Sequence, residues 1–136
     1  MQNRQEPILQ ALILADQVYT DAGTGKRIVC GTFDNFWMEE FPNRYPVPTV
    51  AYIVLTDLIG QVALLLRFVD LKDNQVLMES AAIELESDDP LQVLNLAVQI
   101  PTFPLPQPGV YSFECYANES LIGSIRIMAK RREAQK

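Results

Sequence analysis

Short apolar runs alternate with polar residues, and turn residues interrupt them roughly every 8–12 positions. This rhythm favours strands, because no long stretch carries the three-to-four-residue spacing of an amphipathic helix, a short helix over 91–100 being the one alternative. The clearest case spans 61–70, where Val62, Leu64, Leu66 and Phe68 share one face and Gln61, Leu65 and Arg67 the other. Lys72-Asp73-Asn74-Gln75 then turns the chain. A return strand over 76–86 follows, in which Ala81, Ile83 and Leu85 alternate with Glu84 and Glu86. One face of such a hairpin is dry and the other wet, as antiparallel sandwiches require.

The same reading places strands at 9–19, 27–32, 49–56 and 91–100, with Tyr111, Phe113 and Cys115 alternating in another and Leu121 to Lys130 closing the domain. Asp21 to Lys26, with two glycines, suits the turn of the first hairpin. The expected fold is all-β: one antiparallel β-sandwich of about eight strands, immunoglobulin-like or C2-like, over 1–136. A short basic tail over 130–136 follows the last strand.

Two segments break the rhythm. Residues 33–48 contain three prolines within seven positions (Pro42, Pro46, Pro48), which excludes a central strand and predicts an extended connection or an edge piece. Residues 101–109 are richer still in proline and predict an extended crossover over one end of the sandwich.

Composition narrows the chemistry. The chain has 136 residues, enough for a core without metals or disulfides. It has no histidine, which removes the usual general base near neutral pH and the commonest metal ligand. The expectation is therefore no catalysis and no cofactor. Net charge is −6, and the sign argues against a nucleic acid partner. The excess of base lies at the end, in Lys130, Arg131, Arg132 and Lys136. No run approaches the length of a membrane span. The stretch 7–15 is too short, and too interrupted by Gln10, for a secretory leader, so the expected location is the cytoplasm. Cys30 and Cys115 sit in apolar strand patterns, and their pairing is left open.

Several motifs have an ordinary structural explanation. Gly23-Thr24-Gly25-Lys26 fails as a phosphate loop, because Thr20 stands where the first glycine belongs and Arg27 where the hydroxyl belongs. Asn118-Glu119-Ser120 matches a glycosylation acceptor but reads as a turn. Asp70 with Asp73, and Asp88 with Asp89, are turn residues without calcium-loop spacing. Glu39 and Glu40 diverge if extended. Asp16 shares a strand face with Leu12, Leu14 and Val18, and Asp34 ends a strand. Both are expected as structural carboxylates, buried against hydrogen-bond donors. The aromatic set Phe36, Trp37, Phe41 and Tyr45, held on a proline-stiffened segment, is the candidate interaction surface. Its competing explanation is a plug for the open end of the sandwich.

The order of these signals also resembles a known family. It runs from Ala11-Leu12-Ile13-Leu14-Ala15-Asp16 through Gly23, Gly25 and Gly31-Thr32-Phe33-Asp34 to Phe41-Pro42. It ends with Leu105-Pro106 and Pro108-Gly109-Val110-Tyr111-Ser112-Phe113. The chain is similar over nearly its whole length to an uncharacterised family of small bacterial proteins, classed as a domain of unknown function. The resemblance implies a compact β-rich fold and carries no activity.

Three functional readings follow. The first is a non-catalytic protein-interaction or assembly module, using 33–48 or a sheet edge to hold a protein partner or its own copy. The second is a small-ligand or carbohydrate-binding sandwich with Trp37 or Tyr45 as stacking platform. The third is an enzyme working through Asp16 and Asp34.

Overall fold

Two-residue alternation drives the apolar side chains of each strand into one interior. In the strand Thr49–Thr56 every second residue is buried, with Ala51, Ile53 and Leu55 fully enclosed. The computed structural model describes residues 6–132, and these contain strands and turns only. In chain order the strands are β1 Ile8–Thr20, β2 Arg27–Thr32, β3 Asn35–Met38, β4 Asn43–Arg44, β5 Thr49–Thr56 and β6 Gly60–Asp70. They continue as β7 Gln75–Glu79, β8 Ile83–Ser87, β9 Leu94–Ile100, β10 Pro104–Leu105, β11 Gly109–Ala117 and β12 Ser120–Arg131.

Two sheets form the β-sandwich. One has the order β2-β1-β5-β9; the other has the order β3-β12-β11-β6-β7, with β8 also on β6. The eight strands expected from sequence are all present. β7 and β8 are one return strand interrupted at 80–82, both pairing with β6. At the break, Ser80 N donates to Leu66 O at 2.8 Å while Leu66 N donates to Ser80 Oγ at 3.0 Å. A hydroxyl thus replaces a ladder carbonyl.

The short strands come from the two proline-rich segments. β4 and β10 pair with each other. Around them Tyr45 N donates to Phe103 O at 3.1 Å and Arg44 Nη1 to Thr102 O at 3.0 Å. Segments that cannot join a central sheet therefore zip together across the end of the sandwich. β3 is an edge piece, as the prolines require, but it pairs with β12 in parallel, an exception to the antiparallel expectation.

This pairing also corrects the expected tail. Lys130 and Arg131 belong to β12, opposite Trp37 and Met38, and Arg132 N donates to Met38 O at 2.8 Å. β3 gives the chain a partner that extends the last strand. Lys136 lies outside the described residues.

The crossover places Phe103 at the centre of an aromatic cluster. Its ring lies 4.6 Å from Phe68, 5.2 Å from Phe36, 5.4 Å from Phe113 and 5.5 Å from Tyr45, centroid to centroid. The crossover is anchored at its far end by Tyr111, whose buried hydroxyl donates to Gln107 O and accepts from Gln107 N. A tyrosine at the start of a strand, tied back to the backbone just upstream, is a known lock of Greek-key sandwiches. Buried polar groups are likewise satisfied. Asp70 accepts from Lys72 N at 3.0 Å, and no buried side-chain N or O among the described residues lacks a partner.

Phe103→Ala removes the ring that joins the crossover to β3, β6, β11 and Tyr45. The expected loss of unfolding free energy is about 3–5 kcal/mol, measurable by urea denaturation. A loss below about 1 kcal/mol would show that the cluster is not the closure of this end.

Candidate functional site

β3 alternates like any strand, and this splits the aromatic set expected to act as one surface. Phe36 and Met38 point inward; Phe36 is fully buried, 4.3 Å from the Tyr45 ring centroid. Its reading as a surface anchor is corrected: the parallel partner β12 pins β3 against the core. Phe41 and Tyr45 are half-buried against the same core. Burial, and secondarily the charge of Asp16, pushes the Tyr45 phenol above its ordinary range. The plug explanation holds for these three rings.

Trp37 is the residue that remains outside. It is 51% exposed, between two buried neighbours, so its backbone is fixed while its ring meets solvent. The Lys130 ammonium lies 5.3 Å from its ring centroid, within cation–π range. Alternation along β12 adds Met128, 41% exposed, and the exposed Arg126 to the same outward face. The surface is aromatic and cationic on an otherwise anionic chain. Alternation along β12 turns Arg126 and Lys130 outward, and the β3–β12 pairing brings Trp37 to Lys130.

A groove runs beside this surface. β1 pairs with β2 only from Ala15 onward, and β12 pairs with β3 only from Met128 onward. The earlier halves of both strands therefore leave an opening of about 470 Å³, lined among others by Ile13, Thr32, Phe33, Asp34, Ile125 and Arg126. At its far end the sheets close tightly. A Cβ on Gly123 would lie 2.4 Å from Leu9 Cδ2, so the Leu9 side chain packs directly on the Gly123 backbone.

The two carboxylates are not buried, which corrects the sequence reading. β1 outruns β5, whose register ends at Ala15 opposite Val50, so Asp16 stands past the region where β5 flanks its strand. Its carboxylate lies against Gly31, where a Cβ would come within 2.6 Å of Oδ2. Gly31 also holds a φ of +74°, open to glycine. Asp34 is exposed as well; its carbonyl accepts from Met128 N at 3.1 Å, and its carboxylate accepts from the Asn35 amide. The two line separate clefts, Asp34 the groove and Asp16 a smaller one with Gln17 and Thr49.

The other motifs resolve as turns. Asp21 accepts from Thr24 N at 3.0 Å and from the Thr24 hydroxyl, which holds its carboxyl below the usual range. Asn118 and Glu119 both have positive φ, and Asn118 Oδ1 accepts from Ala63 N at 2.9 Å. Among the described residues, no three acidic or cysteine side chains cluster as metal ligands. Both cysteines are free thiols, and burial pushes Cys115 up to about 11.

Fold and site together define a small two-sheet β-sandwich with an exposed aromatic edge. The chain belongs to a family of unknown function, DUF6941, which matches residues 10–130. No curated protein matches it. Among the described residues, no helix is long and apolar enough to cross a membrane.

Two measurements check this description. Iodide should quench the single tryptophan strongly in the native state, and Lys130→Glu should weaken iodide quenching while leaving acrylamide quenching unchanged. An indole shielded from both quenchers would contradict the exposure of Trp37. Iodoacetamide at about pH 8 should spare Cys115 in the folded protein, because almost none of its thiol is ionised there. Urea unfolding should abolish that protection.

Proposed function

We propose that this chain is a non-catalytic protein-interaction or assembly module whose contact surface is Trp37 with Arg126, Met128 and Lys130. The observation that carries the reading is the half-exposed Trp37, fixed between two buried neighbours beside a cation. A preordered aromatic loses little entropy on binding, and tryptophan and arginine are typical interface anchors. The partner it fits presents carboxylates beside apolar side chains. Of the two architectures expected, the order β1-β5-β9 against β12-β11-β6-β7, with the Tyr111 lock, favours the immunoglobulin-like one. Two free thiols suit a reducing compartment, and we place the protein in the cytoplasm.

A second reading is a small-ligand site in the adjoining groove. Its volume is in the range of ligand pockets, and Asp34 and Arg126 supply opposite charges on its walls.

The test is a pull-down from host lysate, comparing wild type with Trp37→Ala and with Arg126→Ala, each shown to retain the wild-type melting temperature. A partner held by wild type and lost by Trp37→Ala is the expected result. Partners held equally by both proteins would remove this surface from the reading. Small-molecule binding lost only on Arg126→Ala would favour the groove.

A further inference from the structure

We infer that the free edge of β9 pairs with β9 of a second copy of this chain, joining two four-stranded sheets into one. The inference concerns the edge opposite the Trp37 surface and stands independently of it.

Exposed strand edges are normally blunted by charge, proline, bulges or shortness, because their unpaired N–H and C=O groups recruit other strands. β3 is four residues long, flanked by Asp34, Glu39 and Glu40. β7 and β8 are broken at 80–82 and carry Glu79, Glu84 and Glu86. β2 carries Arg27 and the positive-φ Gly31. It also coils away from a flat edge: Arg27 Nε donates to Asn95 Oδ1 of β9 at 3.1 Å. In a flat sheet those strands stand three spacings, about 14 Å, apart.

Within its own residues β9 has none of these devices. Leu94–Ile100 contains no charge and no proline, and its register with β5 is unbroken. Among the described residues no backbone hydrogen bond reaches it from any strand but β5. Its core-facing Leu94, Leu96 and Val98 remain half-buried, whereas their neighbours Leu55, Ile53 and Ala51 on β5 are fully enclosed. The interior is thus incomplete along this edge.

A second copy supplies the missing side. Antiparallel self-pairing about Ala97 sets Leu96 opposite Val98, Leu94 opposite Ile100 and Asn95 opposite Gln99. Apolar side chains meet on the core face and amides meet on the outer face. The same register carries Val93, 56% exposed, to Pro101 of the second copy, with the 86% exposed Leu91 just beyond. Charge is balanced along this edge: Arg27 donates to Asn95, and Asp16 shares a cleft with Gln99 and Ile100, so pairing Asn95 with Gln99 brings the cation of one copy toward the carboxylate of the other. The outward residues of this sheet beside β9 (Ala11, Ile13, Val50, Tyr52, Val54) are uncharged. The other sheet's outer face carries the Arg67–Glu79 ion pair at 2.9 Å.

The test uses the full chain in sedimentation equilibrium. The expected result is a reversible dimer for wild type and loss of that dimer in Ala97→Lys, which sets two ammonium groups against each other at the twofold axis. Ala97 is exposed in the single chain, so circular dichroism should be unchanged. A second readout does not depend on that variant folding. In a Cys30→Ser background, Ala97→Cys should cross-link under mild oxidation, since directly opposed antiparallel residues lie within disulfide reach. Gln99→Cys alone should not, because its opposite residue is Asn95. A monomeric wild type overturns the inference, whatever else the edge then binds. So does a dimer indifferent to Ala97→Lys and unlinked by Ala97→Cys. A dimer lost only in Trp37→Ala overturns it too, and assigns self-association to the other surface.

Discussion

The packing of Phe103 against four other aromatic rings is the interaction on which the rest depends. A sandwich of two sheets has open ends, and apolar interior exposed there would cancel much of what alternation gains. Here the proline-rich crossover lays Phe103 across one end, fully buried, in contact with rings from β3, β6, β11 and the loop after β4. The prolines give the crossover an extended, stiff path, and the Tyr111 hydroxyl ties it down at Gln107. Pairing of β4 with β10 then satisfies backbone groups that neither segment could satisfy alone.

The closed end has a consequence for the surface. Phe36 joins the cluster, so β3 is held where it can pair with the end of β12. Fixing Phe36 inward fixes Trp37 outward, because successive side chains of a strand take opposite faces. The exposed indole is therefore a by-product of core closure in its position, while its neighbours Lys130 and Met128 come from the alternation of β12. The surface proposed for binding and the plug are two faces of one strand, so the four aromatics do not form a single set.

Legibility in the sequence followed the range of the interactions. Val62, Leu64, Leu66 and Phe68, and later Tyr111, Phe113 and Cys115, announce their buried faces by period alone, and all are buried. The hairpin turns at 21–26, 72–75 and 118–119 are local chemistry and were equally readable. Asp16 misled because its face looked continuous with Leu12 and Leu14; nothing local says that β5 ends opposite Ala15. The split at Ser80 was hidden for a similar reason, since a hydroxyl standing in for a carbonyl needs a partner fourteen residues away.

Alone, the sequence determined that the chain is a strand-built sandwich, which side of each long strand faces the core, and where hairpins turn. Period and turn chemistry act over a few residues and leave marks that can be read directly. The tertiary structure alone decided which edge strands are covered and which are bare, that β3 lies parallel to β12, and that Trp37 meets Lys130. Those outcomes depend on contacts between segments about ninety residues apart, and pairing at that range is set by how the whole core closes.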